Sequence, residues 1–111
     1  MKNTTQKTSL GKYGEMRRQY LVKHQPALFN RYAEQGYLSI HLELVNEEMQ
    51  RLINDYIREN VSASGITAEL KHTNPLEWTR RMNNLKAQAE EIFLFQLVYA
   101  EEYPRPEEIP F

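Results

Sequence analysis

The sequence predicts an all-α fold: a small helical bundle with two long antiparallel helices, at about 38–60 and 75–100, and shorter helices before them. Three observations predict it. Leu38, Leu42, Val45, Met49, Leu52 and Tyr56 recur at spacings of 4, 3, 4, 3 and 4, which gathers side chains on one face of a helix. Trp78, Met82, Leu85, Ala89, Ile92 and Tyr99 follow at 4, 3, 4, 3 and 7. The connection between the stripes is about 14 residues, short enough to favour antiparallel pairing of the two apolar faces. At 111 residues, with 41% apolar side chains, the chain can bury one core.

The elements follow in order. Met1 to Ser9 is polar and without apolar period, so residues 1–10 are expected to form a disordered tail. A single helical domain then spans 11–100. Tyr13, Met16, Tyr20 and Leu21 share a helical stripe within Lys12–Lys23. Pro26 suits a first helical turn, where its missing N–H is not needed. Leu28, Phe29, Tyr32 and Ala33 repeat the period, and Gly36 supplies a stop. Two short helices, or one kinked at Pro26, are expected here. The first long helix runs over Leu38–Asn60. Leu38, Ile40, Leu42 and Leu44 also alternate as a strand would, but the helical spacing persists much farther. Ser62 to Gly65 breaks the pattern, and Thr67 to Lys71 has room for about one helical turn. Asn74 is a good N-cap, Pro75 fits the first helical position, and Glu77 sits where a capping box closes. The second long helix is expected to reach about Ala100. Pro104, Pro106 and Pro110 then forbid continuation, so 101–111 is expected to be an extended acidic, Pro-rich tail.

Several function classes drop out. The chain has no cysteine, which removes disulfides, thiolate metal sites and cysteine nucleophiles and fits a cytoplasmic location. No apolar run approaches the ~18 residues of a membrane span, and the N-terminus has no secretory apolar region. His24, His41 and His72 fall in separate segments, none with a partner at metal-ligand spacing. Gly11 and Gly14 lack the Lys-Ser/Thr and preceding strand of a phosphate loop, and no GxSxG occurs. Glu47–Glu48, Glu90–Glu91, Glu101–Glu102 and Glu107–Glu108 read as solvated surface. A non-enzyme is expected, with no catalytic residue, metal ligand, cofactor or membrane contact.

Charge is distributed in blocks. The net charge of −1 divides into +5 over 1–36, −4 over 37–70, +3 over 71–86 and −5 over 87–111. Such blocks either pair inside one fold or present basic and acidic faces to partners. On the second reading, Lys12, Arg17, Arg18 and Lys23 form one basic surface and Arg80, Arg81 and Lys86 another, both able to contact phosphates. Trp78, Tyr56 and Tyr99 could stack on bases, but their stripe positions predict core. Asn83 and Asn84 sit mid-helix, where Asn is a poor former, and one of them is expected to bond a neighbouring element and fix register.

Several segments together resemble a known family. They are Gly11-Lys-Tyr-Gly-Glu-Met-Arg-Arg-Gln-Tyr-Leu, Gly36-Tyr-Leu, Gly65-Ile-Thr-Ala-Glu-Leu-Lys, Asn74-Pro-Leu-Glu-Trp-Thr-Arg-Arg-Met-Asn-Asn-Leu, Ala89-Glu-Glu-Ile and Val98-Tyr-Ala. Over about Leu10 to Ala100 the chain resembles the transposon-encoded TnpV family, small proteins of mobile elements in Gram-positive bacteria. The resemblance implies an accessory role in element excision or transfer and carries no catalytic residue over. The partners it implies are element DNA or an element-encoded recombination or transfer protein. The alternative is a protein-interaction module without nucleic-acid binding, which includes a homodimer formed by heptad stripes pairing between chains.

Overall fold

The structure, a computed structural model, describes the backbone of residues 2–101 and the side chains of residues 11–101. Among these residues there are five α-helices and no strand. They are α1 (Lys2–His24), α2 (Pro26–Glu34), α3 (Leu38–Asn60), α4 (Ala68–Thr73) and α5 (Pro75–Phe93), followed by a π-helical turn at Leu94–Val98. The all-α architecture is the one the two stripes predict. The acidic tail expected over 101–111 lies outside the described residues beyond Glu101.

α1 is two helical pieces joined at Gly11, whose φ of 74° and ψ of 176° are non-helical and essentially confined to glycine. The backbone of 2–10 is helical, and no Gly or Pro interrupts it before Gly11. After the break the helix restarts under a cap from another element. Asn46 Oδ1, on α3, accepts from the N–H groups of Tyr13 and Gly14 at 3.0 and 3.4 Å. Restarting a helix leaves such donors without carbonyls, and a side-chain oxygen replaces them. A β-carbon on Gly11 would lie 2.5 Å from the same Asn46 side chain.

Gln25 leaves helical geometry at φ −136° and ψ 56°, and Pro26 opens α2. On α3, His41, Leu42, Val45, Met49 and Leu52 are buried, while Ile40 and Leu44 are exposed. The helical period therefore prevails over the strand-like alternation. Thr67 Oγ1 accepts from Leu70 N–H at 3.0 Å to start α4. Asn74 Oδ1 accepts from Glu77 N–H at 3.2 Å to start α5.

α3 packs against both α1 and α5, and α1 also packs against the π-helical turn. Ile57 shares a groove with Asn83 and Ala87, whereas Val45 and Met49 share one apolar cluster with Leu97 and Val98. The order of these contacts runs in opposite senses along the two helices. The second long helix departs from expectation at its end. Its α-helical part stops at Phe93, and Tyr99 N–H bonds to Leu94 O at 2.9 Å, a five-residue step that widens the last turn. Leu97 and Val98 thereby enter the core. The sequence stripe had led instead to Ile92 and Tyr99, which are 38% and 40% exposed. Trp78 departs as well. It is half-buried rather than core, because the first turns of α5 are packed by the short α4, whose Lys71 Nζ lies 4.8 Å from the indole centre.

Candidate functional site

Of the seven cations singled out in the sequence, Arg17 is the one that the fold removes from the surface. It is fully buried. Tyr13, Gly14, Tyr20 and Leu21 lie one turn to either side of it, so it stands in the middle of the α1 stripe. Its Nε donates to His41 Nε2 at 3.0 Å, and its Nη1 donates to Val98 O at 2.9 Å and Ala100 O at 2.7 Å. Tyr32 and Tyr37 wall His41, with ring centres at 4.7 and 5.7 Å. Burial first, and then the Arg17 charge, lower the His41 pKa from 6.5 to about 4. The imidazole is neutral at pH 7 and serves as an acceptor. Arg17 is therefore an interior clamp and no phosphate ligand. A charged side chain reads as surface in the sequence, and His41 is weighed there only against metal-ligand spacing, which it does not meet. The available signal was position: both lie on the buried stripe of their helix.

The other α1 cations divide. Arg18 pairs with Glu15 one turn away, and that hydrogen bond raises its pKa. Lys12 Nζ donates to Glu90 Oε2 at 2.8 Å, and the same oxygen accepts from Tyr13 Oη at 2.7 Å. Lys12 first, then Tyr13, hold the Glu90 carboxyl below its usual range. Burial and Glu90 together push the Tyr13 phenol up. Lys23 is exposed and forms no ion pair among the described residues. The basic surface expected on α1 is thus largely committed to internal partners.

The α4–α5 corner brings Arg80 and Arg81 together, and Lys86 stands apart from them on the groove that Lys12 and Glu90 also line. Arg81 Nε donates to Glu77 Oε2 at 2.7 Å, and Arg80 pairs with the other oxygen of Glu77. Arg81 first, then Arg80, lower the Glu77 pKa. Lys86 is exposed one and a half turns farther on, with no ion pair among the described residues. Thr79, Arg80, Asn83 and Asn84 line a shallow depression of about 580 Å³. Both asparagines are exposed, and neither side chain bonds another described residue, so the register role expected for one of them is not what they do. Sequence reasoning had no means of separating these two uses of a mid-helix amide.

A family model described as transposon-encoded protein TnpV matches residues 1–98. The chain belongs to the TnpV family. No curated protein and no solved structure matches it. The TnpV match runs from α1 to the last residue of the π-helical turn, so it takes in the Arg17–His41 clamp and the whole α4–α5 corner. Membership identifies a transposon-encoded protein. Among the described residues no cluster of three His, Asp or Glu side chains could hold a metal ion. No helix there is long and apolar enough to cross a membrane.

Proposed function

We propose that this TnpV-family protein is a non-enzymatic accessory factor of its transposon that associates with the element's DNA through the outer face of the α4–α5 corner. The observation that carries this reading is the Asn83–Asn84 pair. Each asparagine in a helix interior costs up to about 0.7 kcal/mol relative to alanine, and no bond inside the described fold offsets it. An exposed carboxamide offers a donor and an acceptor matched to the adenine edge, and an exposed guanidinium matches guanine. Arg80 stands one turn from Asn83 and Asn84 and lines the same depression, with the exposed Arg81 and Lys86 of the same helix as further phosphate ligands. α5 is 19 residues long, about 28 Å, and suits a major groove. The transposon-encoded context supports DNA as the partner.

The test is fluorescence anisotropy on duplexes from the element's ends and on scrambled duplexes, at about 10 mM salt, where phosphate contacts are strongest. Glu77→Gln, which releases Arg80 and Arg81, is expected to tighten binding. Asn83→Ala with Asn84→Ala is expected to reduce the preference for the end sequence. No binding at tens of micromolar protein, a range well inside the ~10⁻⁴–10⁻⁶ M of non-specific association, rejects the DNA reading. A second reading, an interaction module that binds protein, is favoured by the exposed Phe95.

A further inference from the structure

We infer that Phe95 and the groove beside it form a self-complementary docking surface for a second copy of this chain. The inference does not depend on DNA binding. It begins with the π-helical turn. Leu97 and Val98 of that turn are buried, while Phe95 is 71% exposed. Wide turns of this kind are rare and concentrate at functional positions. This one holds an aromatic ring out in water on the rigid end of a packed helix.

Beside Phe95 lies a groove of about 480 Å³ walled by Met16, Tyr20 and Tyr99. The Tyr99 ring centre is 6.5 Å from that of Phe95 and 5.7 Å from that of Tyr20. A second phenylalanine ring finds aromatic edges there, the arrangement that anchors protein interfaces.

The rim decides the occupant. Lys23 and His24 stand on the α1 side. Glu91 stands one turn before Phe95, and Glu101 follows the turn; both are exposed. Lys23, Glu91 and Glu101 form no ion pair among the described residues. An anionic lipid surface or a nucleic acid would meet the Glu91 carboxylate one turn from Phe95 and be repelled. A second copy, related by a two-fold axis, sets its acidic side against this basic side and its basic side against this acidic one. Lys23 then faces the partner's Glu91, and Phe95 enters the partner's groove. The patch is small, so the association is weak, with a dissociation constant on the order of tens of micromolar.

Sedimentation velocity on the full chain, from about 5 to 500 μM, brackets that constant. The expected result is a monomer passing to a dimer. Phe95→Asp is expected to weaken the dimer at least about tenfold while leaving the helical circular dichroism intact. Lys23→Glu and Glu91→Lys are each expected to weaken it about two- to fivefold, and the double variant to restore it. A chain that stays monomeric throughout the range overturns the inference, whatever covers Phe95 instead. So does a dimer untouched by Phe95→Asp, or one removed by Leu44→Asp on the exposed side of α3. Failure of the charge swap to restore the dimer overturns the two-fold register.

Discussion

Arg17 and His41 hold each other in opposite protonation states inside the bundle, and this gives the fold a pH dependence. The folded imidazole titrates near 4, against 6.5 for an unburied one. As pH falls below about 6.5 the unfolded chain takes up a proton that the folded chain refuses, so stability falls. The loss continues to about pH 4 and then levels, because both states are then protonated. The carboxyls of Glu77 and Glu90 are held low, so their contribution disappears only as pH falls below about 4.5. Urea midpoints at pH 7.5, 6.5, 5.5 and 4.5 are expected to decline steadily for the natural chain. His41→Gln keeps a neutral acceptor for Arg17 and should flatten the profile between about pH 7 and 5; an unchanged slope would place the titration elsewhere. Gly11 offers a second test at this scale. Its backbone conformation excludes a side chain, and Asn46 occupies the space beside it. Gly11→Ala is expected to destabilise by about 1–3 kcal/mol, read as a lower denaturation midpoint. The buried apolar members of the α3 stripe, Leu42, Val45, Met49 and Leu52, were legible in the sequence. Arg17 and His41 were not, since a charge on a stripe reads as surface until partners are seen from α3 and the last turn.

Among the elements, α3 was legible from end to end because its period runs unbroken over Leu38–Asn60 and its buried residues follow that period. α5 was legible at its start, where Asn74, Pro75 and Glu77 act locally. Its end was not, because the five-residue step at Leu94–Tyr99 answers to packing against α1 and α3 and leaves no local mark. The same distinction governs Trp78. A stripe position predicts a core indole, and a core tryptophan removed to alanine costs about 3–5 kcal/mol. Half-buried between α4 and α5 under the Lys71 ammonium, the indole contributes a cation–π contact and partial burial. Trp78→Ala is expected to cost about 1–2 kcal/mol, with the helical spectrum retained. A loss in the core range would mean that α4 closes over the ring more completely than it does here.

At the scale of the whole molecule the alternating charge blocks are partly paired inside the fold and partly left exposed. The first and last blocks meet in the Lys12–Glu90 pair, which is internal complementarity. The block at 71–86 keeps its surplus on the surface of one corner. The candidate site was therefore half legible: Arg80, Arg81 and Lys86 are exposed, as a surface reading of them expects, and Arg17 is buried. On the proposed reading, Arg80, Arg81 and Lys86 set the salt dependence of the DNA complex. The logarithm of the binding constant is then expected to fall with that of salt at a slope of about −2 to −3. A titration from about 10 to 200 mM salt reads it, and a slope near zero would exclude phosphate contacts. Arg17→Gln should leave that slope unchanged in whatever fraction stays folded, whereas Lys86→Gln should reduce it by about one.

The carbonyls that receive the Arg17 guanidinium lie 81 and 83 positions downstream of it. A ribosome adding about 5–20 residues per second makes α1 several seconds before it makes them. Through that interval the nascent first helix has neither the carbonyls that complete its clamp nor the apolar turn that covers it. Closure of the bundle is consequently a late event of translation. A message cut short before the codon for Val98 yields a chain with an unsatisfied interior cation, which quality-control proteases meet in an open state.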